Sequence, residues 1–136
     1  METIILASGS PQRQEYFRLL GLPFEVIPSP MEEIFNNRIE PRLAVEELAI
    51  QKVNSVRRLC RNRKWIVGAD TIIHLDGQIY GKPLDREDAR LMLSGLQGHR
   101  HEVITAMALY NEQKKTMDCR SIVSNVSFAY MGEAEI

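Results

Sequence analysis

Four short segments of this 136-residue chain combine residue types that hold or cleave phosphates. The first is Ser8-Gly9-Ser10-Pro11-Gln12-Arg13. It follows an apolar run and opens a helical pattern. Free backbone N–H groups and the positive end of a helix dipole meet at such a junction, and together they attract phosphate. Gly9 permits close backbone approach, Ser8 and Ser10 add hydroxyls, and Arg13 brings a fork of charged donors one turn into the helix. The GKS/T ending of a Walker loop is absent. The competing reading is a plain capped helix with a surface arginine, because Ser-Pro is a common helix start. The second segment is Gly68-Ala69-Asp70-Thr71, set between Ile66-Val67 and Ile72-Ile73. A carboxylate buried in such a strand is costly unless paired, hydrogen-bonded or bound to metal. It suits metal binding or activation of water. Otherwise backbone amides satisfy it at a bulge or strand end. Gly68 points to close approach of a ligand or another backbone.

The remaining signals are individually weaker. Lys82 sits between Gly81 and Pro83, where it either places a point charge on a phosphate or is a solvated loop lysine. Lys52 follows Leu48 by one helical turn and precedes Val56 by another, so it either snorkels to water or enters a site. Glu32 and Glu33 are loop carboxylates, solvated by default. His74, His99 and His101 lack metal-ligand spacing and read as exposed loop residues, with His99 and His101 the two that could line a pocket. Neither a GxSxG triad context nor a GxGxxG fingerprint occurs. Cys60 and Cys119 form no CxxC pair and read as two buried thiols in a reducing compartment. Two cationic side chains, an anion-binding helix start and two acidic positions make up the inventory for a phosphate chain plus a divalent metal.

These residues need elements to position them. Thr3–Ala7 reads as a buried strand, followed by a helix capped by Ser10, started by Pro11 and stopped at Gly21. That helix carries Tyr16, Phe17 and Leu20 on one face. Phe24–Ile27 reads as a second strand. Pro41 opens a long helix to about Arg61, with Ala44, Leu48, Ala49, Val53, Val56 and Leu59/Cys60 as its apolar stripe. Trp65–Ile73 is a third strand, and Asp76-Gly77 folds Gln78–Tyr80 back as a hairpin. Asp85 caps another helix, whose buried face is Ala89, Met92, Leu93 and Leu96. Val103–Tyr110 and Asp118–Tyr130 read as long strands joined by a polar turn, and Gly132–Ile136 as the start of a helix. Alternation of strands and helices predicts an α/β fold.

Bulk composition agrees with one globular domain over 1–136: 44% hydrophobic and 26% charged residues, with a formal net charge of −1. That balance argues against general nucleic-acid binding. No apolar run reaches membrane-spanning length, and METIILASGS lacks the basic and long apolar regions of a signal peptide. The expectation is a cytoplasmic chain with no membrane partner.

In this order and combination the segments resemble the Maf family of nucleoside triphosphate pyrophosphatases. The matching stretches are IILASGSPQRQEYFRLLGLPFEVIPSPMEE, AIQK, VGADTIIHLDGQIYGKPLDREDARLML and LQGHRHEVITAMALY. The resemblance implies a mixed, twisted sheet with flanking helices and a central cleft, as in the inosine triphosphate pyrophosphatases. It implies hydrolysis of a nucleoside triphosphate to the monophosphate and pyrophosphate, with Mg²⁺ or Mn²⁺ as cofactor. It puts the proton acceptor on Asp70 and the metal on Glu33 and Asp70. Phosphate and cleft contacts fall to Ser8, Ser10, Arg13, Lys52 and Lys82. Thr71 matches the subgroup that prefers dTTP and UTP, and modified pyrimidine nucleotides are further implied substrates. Gln12 departs from the family's SPRR, whose first arginine helps set specificity in that subgroup. The family also continues past residue 136 into a GEPxDKAGAYGIQG stretch, so a C-terminal part is expected to be lacking. The alternative is a nucleotide-binding or regulatory protein of the septum-inhibition type without efficient turnover. A homodimer is the assembly considered.

Overall fold

The apolar run at the N-terminus becomes β1 (Ile4–Leu6), with Ile5 and Leu6 fully buried. In the computed structural model, residues 3–30, 36, 38–59, 65–81 and 85–130 are described. Glu33, Lys82, Cys60 and the helix expected at Gly132–Ile136 lie outside them. β1 pairs in parallel with β2 (Phe24–Val26) on one side and β3 (Trp65–Leu75) on the other, with Ile4 opposite Phe24 and Ile5 opposite Ile66. Parallel neighbours require crossovers rather than tight turns, and the chain supplies two. α1 (Pro11–Leu19) connects β1 to β2, and α2 (Pro41–Arg57) lies between β2 and β3. β4 (Gln78–Tyr80) pairs antiparallel with β3 through the Asp76-Gly77 turn, whose two residues hold φ of 48° and 82°. Two consecutive left-handed residues match the twist of a hairpin, which Asp-Gly tolerates. α3 (Arg86–Leu96), β5 (Arg100–Asn111) and β6 (Thr116–Ser127) complete a six-stranded mixed sheet of order β2-β1-β3-β5-β6, with β4 on β3. The expected α/β class with a mixed sheet and helices holds.

Local chemistry explains the helix boundaries. Ser10 caps α1 by accepting the Arg13 N–H, and Asp85 caps α3 by accepting the Asp88 N–H at 2.7 Å. Gly21, at φ 71°, turns the chain after α1. The expected apolar faces need correction at three places. On α1 nothing is fully buried: Tyr16 and Leu20 are exposed, and Phe17 meets the Phe24 ring at 5.7 Å between centroids. α2 ends at Arg57 rather than about Arg61, so Leu59 falls beyond the packed stripe and is exposed. On α3 only Leu96 is fully buried, while Ala89, Met92 and Leu93 are half-buried.

The chain groups into two compact units. One comprises Met1–Asp70 and Ala106–Ser121, the other Thr71–Thr105 and Ile122–Ile136. In the first, the buried face of α2 (Ala44, Val45, Leu48, Ala49, Val53, Val56) joins Ile5, Leu6, Ile66 and Ala108 in the core. In the second, Ile72, Leu96 and Ile104 are buried. There His101 is not the exposed loop residue expected. It lies within β5, 3% exposed, edge-on to Phe128 at 4.7 Å, and its Nδ1 has no hydrogen-bond partner among the described residues. His74 sits on β3, with Nδ1 2.9 Å from Glu102 Oε1 and Nε2 accepting the Gly77 N–H at 3.2 Å. Among the described residues, no helix is long and apolar enough to cross a membrane.

Candidate active site

Leaving β1, the chain buries Ser8, whose Oγ accepts the Ser10 N–H at 3.1 Å. Ser10 in turn accepts the Arg13 N–H at 3.4 Å. Each serine therefore fixes an N–H of the loop that follows it, and the strand-to-helix junction is held in shape by its own side chains. The helix cap expected at Ser10 is present. Arg13 is not a free surface arginine: its Nη1 donates to the Ala69 carbonyl oxygen at 3.2 Å. Gln12 lies on the exposed side of α1, where its Nε2 donates to the Tyr16 hydroxyl at 2.9 Å.

The Lys52 alternatives resolve inward. Its side chain belongs to the buried face of α2, and its Nζ donates to Asp70 Oδ1 at 3.2 Å and to the Ala69 carbonyl at 3.2 Å. Lys52 and Asp70 are 9% and 7% exposed. The carboxylate that looked out of place in an apolar strand is thus an ion-paired one, rather than one satisfied at a strand end. In a setting this dry the attraction between opposite charges is several times its value in water.

Arg13, Lys52 and Asp70 come from α1, α2 and β3 and meet at one peptide unit, Ala69-Asp70. Two cations share the Ala69 carbonyl, and one of them, Lys52, is paired with the buried Asp70 carboxylate. The shared acceptor, the Ala69 carbonyl, was missed by sequence reasoning. A backbone oxygen carries no residue-type signal, and the only hint was the adjoining glycine. In the second unit Thr71 is exposed, and its hydroxyl lies 3.1 Å from that of Thr105 across the β3–β5 pair. Glu33 and Lys82 lie outside the described residues.

No cluster of three or more His, Cys, Asp or Glu occurs among the described residues. The donor chemistry at Asp70 is one hard carboxylate beside two phosphate-seeking cations. That fits Mg²⁺, which takes one or two carboxylates and completes its shell with phosphate oxygens and water. It does not fit an ion enclosed by protein ligands alone.

Residues 3–136 match the family model described as Maf-like protein. A dTTP/UTP pyrophosphatase of Bacillus velezensis is 40% identical over 134 residues, covering 98% of this chain and 69% of that protein. One from Desulforamulus reducens is 40% identical over 136 residues, covering the whole chain and 71% of that protein. Among solved structures, the Staphylococcus aureus Ham1 protein has a TM-score of 0.60 at 15% identity, covering 94% of this chain and 72% of that one. A nucleoside-triphosphatase / dITP/XTP pyrophosphatase from Mycobacterium abscessus has a TM-score of 0.58 at 16% identity, covering 92% and 73%. At such identities the structural likeness speaks to the fold, which is the one the resemblance implied. The family match and the 40% relatives speak to descent: the chain belongs to the Maf-like protein family.

Proposed function

We propose that this chain hydrolyses nucleoside triphosphates to the monophosphate and pyrophosphate, with dTTP and UTP as its substrates, in the cytoplasm. The carrying observation is the buried Lys52–Asp70 pair with Arg13 on the same Ala69 carbonyl. The names of the 40% identical relatives support the choice of substrates.

In the proposed reaction a water oxygen attacks the α-phosphorus, the bond from that phosphorus to the bridging oxygen breaks, and pyrophosphate leaves with the electron pair. The Asp70 carboxylate takes the proton released by the water. Lys52 pairs with Asp70 and aims it, and with Arg13 it faces the charge that develops on the phosphate oxygens. The Ser8–Ser10 junction presents its backbone to the phosphate chain, and Lys82 adds a further cation. Asp70, with Glu33, would hold a divalent cation, Mg²⁺ or Mn²⁺, whose chemistry when bound is to neutralise charge on the phosphate oxygens. Thr71 and Gln12 are the residues proposed to bear on base choice.

The test is Asp70→Asn, assayed for pyrophosphate release from dTTP and UTP with Mn²⁺. General-base catalysis contributes on the order of 10²- to 10⁴-fold, so the rate should fall by at least the lower figure while the thermal melt stays cooperative. Full turnover in the variant would remove Asp70 from this role. Nucleotide binding without pyrophosphate release by the unsubstituted chain would favour a binding or regulatory protein instead.

A further inference from the structure

Gly68 takes no part in the proposed chemistry, yet a side chain there would collide with α2. A β-carbon at position 68 would lie 2.7 Å from the Ala49 carbonyl oxygen, 2.8 Å from Val53 Cγ2 and 3.3 Å from Val53 N. Two of these three atoms are helix backbone. They cannot turn aside as a side-chain tip can, so the helix itself would have to move. Gly68 does not hold the left-handed backbone conformation that favours glycine. Its need is for space, not for an unusual φ.

The helix residues it meets are placed tellingly. Ala49 and Val53 are one turn apart, and Lys52 lies between them in sequence. The strand residues that Lys52 engages, Ala69 and Asp70, directly follow Gly68. A close approach of α2 to β3 therefore lies beside the ion pair. We infer that Gly68 is a positioning residue: by lacking a side chain it lets α2 approach β3 closely enough for Lys52 to reach both Asp70 and the Ala69 carbonyl. It touches neither substrate nor reacting atoms and acts through Lys52. This rests on the proposed role of Asp70 and Lys52 in hydrolysis.

Gly68→Ala tests it. Displacement of a catalytic group by about 1 Å costs on the order of 100-fold in rate, and that loss is expected in kcat, with KM changing by no more than about threefold. A crystal structure of the variant should show Lys52 Nζ beyond hydrogen-bond reach of Asp70 Oδ1. A pair still at its parent distance, or an unchanged kcat, overturns the inference.

Two companions separate positioning from simple loss of packing. Val53→Ala thins the same contact without pushing the helix away, so it should lower the melting temperature and keep kcat. Gly68→Ala combined with Val53→Ala removes the Cγ2 contact but leaves both backbone ones, so kcat should stay low. Recovery of kcat in the double variant would show that only a side-chain contact mattered and would refute the helix-approach argument. If Gly68→Ala does not fold, Val53→Leu presses on the same contact from the helix side. Its kcat should fall, and a parental value would count against the inference. Asp70→Asn is measured alongside. Turnover retained there defeats the hydrolytic reading, whereas loss there with full kcat in Gly68→Ala defeats only the role of Gly68. The crystal structure decides the geometry whether or not turnover is measurable.

Discussion

Replacing Lys52 by methionine isolates the buried ion pair. Methionine keeps most of the stem volume on the α2 face and removes the ammonium. Removing one partner of a buried pair is expected to cost about 3–5 kcal/mol, because the other charge remains in a poor solvent. Two features of the structure point to the lower end. The N–O distance of 3.2 Å is long for a charge-assisted bond, and both side chains retain about a tenth of their exposure, at 11% and 10%. Loss of the hydrogen bond to the Ala69 carbonyl is contained in the same figure. The expected loss is about 3 kcal/mol, which for a chain of this size lowers the melting temperature by roughly 10 °C. The assay is urea unfolding of Lys52→Met, Asp70→Asn and the double variant at constant pH. The double variant should be less damaged than the sum of the two, with a coupling of about 1–3 kcal/mol. If Lys52→Met lost less than about 0.5 kcal/mol, it would behave like a surface substitution, and the pair would not be the buried one described.

Ser10→Ala removes the cap of α1 and should cost about 1 kcal/mol by chemical denaturation. It should also raise the KM for triphosphate more than it lowers kcat, and the reverse split would remove Ser10 from phosphate binding. Cys119 is partly buried, and burial, followed by the nearby carboxylates of Glu46 and Asp118, pushes its thiol above the ordinary value. The folded chain thus favours the neutral thiol, and stability declines as pH rises through the ordinary thiol range. In a Cys60→Ser background, alkylation by iodoacetamide should accelerate at a higher pH than it does for glutathione. A coincident pH profile would contradict that environment.

What could be read from the sequence was what neighbouring residues determine. Ser10-Pro11, Asp85 with Asp88, and Asp76-Gly77 each carry their own hydrogen bonds or backbone preference, and each lies where the pattern put it. Tertiary placement was less legible. Val45 and Lys52 belong to the buried face of α2 although the apolar stripe omitted them. Which flank of a helix is covered depends on the sheet beneath it, and that sheet is assembled from distant segments. Tyr16 and Leu20 failed in the opposite sense: their spacing is helical, but both are exposed, while Phe17 meets the Phe24 ring of β2. His101 was misjudged because its neighbours in sequence are polar, while its ring is covered by Phe128, a residue distant in the chain. For the site, residue types sufficed to nominate Arg13, Lys52 and Asp70. Their meeting at one backbone carbonyl depended on a strand order that no single segment encodes.

The Arg13–Ala69 hydrogen bond spans 56 residues of chain. During synthesis, the Ser8–Arg13 segment emerges long before its acceptor exists. Its serine hydrogen bonds are local and can form at once, but the guanidinium finds its place only after β3 has paired beside β1. Long-range strand pairing is the slow part of folding, because loop closure must precede any contact that rewards it. The Ser8–Arg13 loop is therefore shaped early, and its guanidinium is placed late. A partly folded chain would carry the loop's outline without the oriented guanidinium, which takes its place only when β1 and β3 pair.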